Sequence, residues 1–160
     1  MFGNGVLPNT MGPYLVHPSD ADATAILSTF AAWNAFYDAH RGALAGWASL
    51  HLGRPTSRSV EATAHLSSGG GGGSEVALLA LFNPAGAARQ GSVGVSLYYA
   101  GLAPGAGVGV ARVAPGAPNS WVRNATVGGD GAVGGGAFEV VVEYALPPRS
   151  YALFTLEALA

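Results

Sequence analysis

Glu139 and Glu143 form the one close carboxylate repeat in the β-rich part of this 160-residue sequence. Paired carboxyls suggest glycoside hydrolysis, which needs the two groups about 5–9.5 Å apart. On an extended strand four residues span about 13 Å. The two glutamates therefore share a face but stand too far apart to flank one glycosidic bond. His51 and His65 invite a metal reading. A hairpin in which Leu52 faces Val60 and Leu50 faces Ala62 also sets His51 across from Glu61 and Trp47 across from His65. The two histidines are then about 13 Å apart along the ladder, beyond the reach of one ion with ligand bonds near ~2.1 Å. His17, before Pro18, reads as a loop residue. Asp20 and Asp22 read as a helix cap and its dipole partner, and Asp38 near His40 as a solvated helix end. No Gly-x-Ser-x-Gly elbow occurs, and no Cys is present to serve as nucleophile or ligand. The Gly-rich stretches lack a following Lys and the strand–loop–helix setting of a phosphate cradle. The expectation is a chain with no catalytic residue, no metal site and no cofactor. What remains is aromatic: Trp47, Trp121, Tyr98 and Tyr99 could stack on sugar rings, and Trp47 and Trp121 are the candidate sugar contacts. Asn124-Ala125-Thr126 is an N-glycosylation sequon.

Composition narrows the partners. All seven cations are Arg, and the formal net charge is −2. No basic field exists to neutralise phosphates, so no nucleic-acid partner is expected. The longest apolar run, Val76 to Phe82, is far short of the ~20 residues of a membrane span, so no membrane partner is expected either. No Lys or Arg precedes Arg41, which argues against a signal or transit peptide. Charged residues make up 10% of the chain, against about 25% in an ordinary domain, so solubility on its own is expected to be limited.

The elements that must position these residues follow from periodicity. Ser19-Asp20 resembles an N-cap, and Ile26, Leu27, Phe30, Trp33 and Tyr37 form a helical stripe that Phe36 widens. His40, Arg41 and Gly42 or Gly46 suit its end. The spacing predicts one helix over 21–41. From Trp47 the period becomes two. Strands are predicted at Trp47–Leu52, Val60–Leu66, Val76–Phe82, Val93–Tyr99, Val108–Val113, Trp121–Val127, Phe138–Tyr144 and Tyr151–Leu156, separated by Gly/Pro clusters. The apolar run Val76–Phe82 reads as a central strand buried on both faces. The five glycines 69–73 read as an expanded hairpin loop. The predicted fold class is mainly β: an antiparallel β-sandwich of about eight strands preceded by one N-terminal α-helix.

The order of segments adds a resemblance. It runs through Trp33 to Arg41, Leu50-His51-Leu52-Gly53-Arg54-Pro55 and Ala62-Thr63-Ala64-His65-Leu66. It continues with Ala80-Leu81-Phe82-Asn83-Pro84, Val95-Ser96-Leu97-Tyr98-Tyr99-Ala100-Gly101-Leu102 and Leu146-Pro147-Pro148-Arg149-Ser150-Tyr151-Ala152-Leu153-Phe154. This resembles the C-terminal region of glycoside-hydrolase-like proteins of the α-galactosidase type, in which a (β/α)8 barrel is followed by a β-sandwich. The resemblance spans roughly residues 20–157. It implies two parts: 1–46, an irregular segment plus helix left from a preceding barrel, and 47–160, the sandwich. It implies a non-catalytic module whose partner is the catalytic barrel domain of a parent glycosidase, because no segment here matches the barrel strands that carry the acid and nucleophile. The alternatives are a stand-alone carbohydrate-binding sandwich and an incomplete gene model without activity of its own. On this reading the helix stripe leaves an exposed apolar patch, and removing 1–46 improves solubility.

Overall fold

A computed structural model describes residues 23–46, 48–53, 56, 59–67, 74–129 and 136–159. Helix α1 (Ala23–Ala39) and a single turn α2 (Arg41–Leu44) precede eight strands. These are β1 (Ala48–His51), β2 (Glu61–Leu66), β3 (Glu75–Asn83), β4 (Arg89–Ser96), β5 (Gly107–Ala114), β6 (Ala117–Thr126), β7 (Glu139–Leu146) and β8 (Ser150–Ala158). The protein is mainly β, as the alternation predicts. The proposed caps Ser19-Asp20 and Asp22, and the glycine tract 69–73, lie outside the described residues.

All strand pairs are antiparallel. One sheet has six strands in the order β1-β2-β3-β8-β5-β6, and the other is the pair β4-β7. The sandwich core lies between them. Val95, Val140, Val142 and Leu146 of the small sheet meet Leu66, Leu79, Leu81, Val108, Val110 and Leu156 of the large one. Strand β3 shows why its sequence does not alternate. Leu79 and Leu81 face this core, whereas Leu78 faces a second core on the sheet's other side. There Phe36, Ala43 and Leu44 of the helical segment pack with Leu78, Val113 and Leu153. A strand covered on both faces has no position that gains from a polar side chain.

The helix differs from its predicted stripe. Phe36 is buried and Trp33 and Tyr37 are half-buried, but Ile26 and Leu27 are 37% and 54% exposed. From Thr24 to Thr29 the helix contributes nothing to the second core. Phe36 anchors the helix because the chain reverses just after it. His40 closes the end of α1 by donating its N–H to Phe36 O at 3.0 Å, and α2 then turns Ala43 and Leu44 inward. Gly46 follows, where a Cβ would stand 2.1 Å from Leu66 O; only glycine lets the helical segment enter the sheet this closely. Removing 23–46 would therefore uncover Leu78, Val113 and Leu153, which reverses the expectation that trimming improves solubility.

Two strand details also differ. The β1–β2 register is Ser49↔His65, Leu50↔Ala64 and His51↔Thr63, two residues away from the predicted pairing. Alternation specifies which face a residue takes, not which partner it meets, so the faces are as predicted. Strand β4 begins at Arg89 and ends at Ser96, and Tyr98–Ala100 forms a 3-10 turn closed by Gly101 at φ 77°. Only Val93 and Val95 of β4 carry large apolar side chains, too few to mark its start by periodicity.

Candidate functional site

Two of the segments quoted for the resemblance, those around Asn83 and around Leu146 to Ser150, meet in space. Asn83 ends β3, is fully buried, and lies opposite Ser150 at the start of β8. Its Nδ2 donates to Pro147 O at 2.7 Å, to Ala87 O at 2.9 Å and to Leu146 O at 3.3 Å. Its Oδ1 accepts from the Ala85 N–H at 3.1 Å. The Arg149 N–H donates to Ala85 O at 3.0 Å, with Arg149 at a left-handed φ of 49°. The Ser150 hydroxyl closes the turn on Pro147 O at 2.8 Å. One amide thus ties the β3–β4 crossing to the β7–β8 turn, where the chain passes between the two sheets. The Asn83-Pro84 pair reads in sequence as a strand stop, and its role as a clamp on residues more than sixty positions away carries no local signal.

The carboxylates stand as their spacing requires. Glu139 and Glu143 lie on one face of β7, opposite Ser96 and Ser92. Glu143 is exposed; Glu139 is half-buried, with Oε2 closed off and without a hydrogen-bond partner. Four positions apart on a strand, they are separated by about 13 Å. Glu139 borders a cleft of about 200 Å³ with Arg123 and Val141. The Arg123 guanidinium donates to Val141 O and so joins the free edge of β7 to β6.

The histidines do not converge. His65 is buried and His51 exposed. The observed register brings them to two ladder positions apart, about 7 Å, closer than the predicted pairing. No group of three or more His, Cys, Asp or Glu suited to a metal ion occurs among the described residues. His40 does find a carboxylate: its Nδ1 is 2.5 Å from Glu75 Oε2, and its ring packs on Phe36 at a centroid distance of 4.3 Å. The pair pins the α1–α2 junction to the first residue of β3. His17, Asp20 and Asp22 lie outside the described residues, and Asp38 is exposed.

The aromatic candidates separate. Trp47 lies outside the described residues. Tyr98 and Tyr99 are 57% and 46% exposed, but their rings meet at 83° and Tyr98 is edge-on to Phe138; they form no flat face. Trp121 is 56% exposed. The β5–β6 register slips at Val122, so that Arg123 faces Val110 while Trp121 faces Ala111. Asn124 of the sequon is exposed on the same edge strand.

A continuous apolar band occupies the helix side of the large sheet. Ile26, Phe30 and Trp33 share one face of α1 at spacings of four and three. Trp33 meets Tyr151 at 6.0 Å between ring centroids, and Tyr151 pairs with Phe82 across β8 and β3. Tyr151 is 51% and Phe82 45% exposed. No helix among the described residues is long and apolar enough to cross a membrane. No protein-family model matches the chain, and no curated protein matches its sequence.

Proposed function

We propose that this chain is the non-catalytic C-terminal β-sandwich module of a glycoside-hydrolase-like protein, and that it packs against and stabilises a catalytic barrel carried elsewhere in the parent. The observation that carries the reading is the apolar band Ile26–Phe30–Trp33–Tyr151–Phe82. Contiguous exposed apolar surface marks a docking face, and full burial of each large side chain contributes about 1.5–3 kcal/mol. The band combines the helix, which the resemblance assigns to the end of a barrel, with the outer ends of two sandwich strands. A barrel seated there would contact both parts at once. The separated carboxylates of β7 fit a supporting role, since glycosidase chemistry requires a closer pair.

The test begins with the reading frame upstream of Met1, translated and purified as one longer protein. The expected product has barrel strands with paired carboxylates, and its Trp33 and Tyr151 region is protected in hydrogen exchange relative to the isolated chain. Phe82→Glu with Tyr151→Glu should lower the melting temperature of the longer protein while the isolated module keeps its β spectrum. Turnover of chromogenic glycosides by the isolated chain, abolished by one carboxylate substitution, would overturn the reading.

A further inference from the structure

The opposite end of the same sheet face carries a second feature that the docking reading does not use. The indole of Trp121 reaches diagonally from β6 onto β5 and rests on Gly109. A Cβ at residue 109 would stand 2.1 Å from the Trp121 Cη2 atom and 2.9 Å from Cζ3. Gly109 is buried beneath the ring, while the indole itself is 56% exposed. The register slip at Val122 is what turns the ring to this side, because without it the alternation of β6 would aim residue 121 with Arg123 toward the sandwich core; bulges commonly re-aim a side chain in this way. Gly109 lies opposite Asn124 on β6 and opposite Glu157 on β8. Partners in register share a face, so an amide and a carboxylate flank the ring from the two neighbouring strands. The two flanking Cα positions are two strand spacings apart, about 10 Å. Ala32 of α1 comes within 3.4 Å of the position a Cβ would take at Gly116, in the β5–β6 turn beyond the far end of β5.

We infer that this seat binds a neutral sugar ring: the indole stacks on its apolar face, Asn124 donates to and accepts from its hydroxyls, and Glu157 accepts from them. A sugar ring carries hydroxyls that both donate and accept, which suits an amide beside a carboxylate, and its C–H face can cover an aromatic plane. A fixed indole loses little conformational freedom on binding, which favours it as an anchor. Six residues of β8, about 20 Å, separate Tyr151 of the docking band from Glu157, so no residue is shared between the band and this seat. The inference does not rest on the docking reading.

The experiment uses the full chain labelled with 15N and three probes: methyl galactoside, methyl glucoside and a linear maltooligosaccharide. The expected result with at least one of them is saturable shifts of one indole N–H and of the Asn124 and Glu157 amides. Trp121→Ala should abolish them, and Trp121→Tyr should restore part of the affinity. Gly109→Ala should weaken binding at least about tenfold by lifting the ring, and Asn124→Ala several-fold. Trp121→Ala alters an exposed side chain and leaves the fold intact, so it decides the matter even if Gly109→Ala fails to fold. No saturable shift with any of the three probes, or binding that survives Trp121→Ala, overturns the inference. Either outcome leaves the docking reading standing, since that is read from the longer protein.

Discussion

Asn83 does the work of three side chains at the crossing between the sheets. Its amide donates to three carbonyls and accepts one N–H. Truncating it strands buried carbonyls without donors, so Asn83→Ala should cost about 2–4 kcal/mol in urea unfolding. Asn83→Asp keeps the shape and sets acceptor-only oxygens against the same carbonyls; its loss should be at least as large, which distinguishes hydrogen-bonding from packing. Thr155 presents the converse case. It is fully buried on the helix side of β8, and its Oγ1 has no partner. Thr155→Val removes an unsatisfied hydroxyl at nearly constant shape and should raise stability by about 1 kcal/mol, read as an increase in melting temperature. Neither role was visible in the sequence. Asn before Pro marks a turn whether or not the amide reaches across the fold, and Thr in a strand is ordinary on either face. Trp121 was legible as a candidate by type alone. What decides its orientation, the slip at Val122 over a glycine on the next strand, is a property of pairing and not of residue 121.

At the level of elements, period-two alternation, and for β3 an unbroken apolar run, located all eight strands, because most of them bury one face in the sandwich core and β3 buries both. It failed where that condition fails. Strand β4 turns only Val93 and Val95 inward, and its polar half escaped notice. The β1–β2 pairing was predicted two residues out. Leu52 N–H bonds to Ala62 O at 2.9 Å, where the shorter loop would have set Leu52 against Val60. The helix illustrates a different limit. Its apolar residues spread over more than one face, and no local rule says which of them the sheet will cover. Phe36, Ala43 and Leu44 seal Leu78, Val113 and Leu153, and His40 pins the junction to Glu75. Deleting residues 1–46 should therefore lower stability and promote aggregation, seen as a lower melting temperature and an early-eluting peak in size-exclusion chromatography. A soluble, cooperatively melting β remnant would show that the second core contributes little.

The whole molecule is layered: helical segment, six-stranded sheet, two-stranded sheet. The large sheet is the middle layer, and β3 and β8 are its central strands. Few charges are available to keep such a chain apart from its copies, since charged residues make up only 10% of the sequence; the apolar band accordingly matters more here than it would on an ordinary surface. The middle position of β3 also bears on how the sequence can drift. From Val76 to Leu79 every residue is buried, with Leu79 facing one core and Leu78 the other. No position in that stretch can absorb a polar replacement on a solvent side, because both faces are covered there; β3 opens to solvent only further on, at Phe82. Strand β6, by contrast, is exposed or half-exposed along its whole length. Two strands of one sheet thus live under opposite regimes: the run of leucines is nearly frozen, while the edge strand is free to vary wherever neither the backbone slip that sets the direction of its tryptophan nor the Arg123 bond to Val141 O is touched.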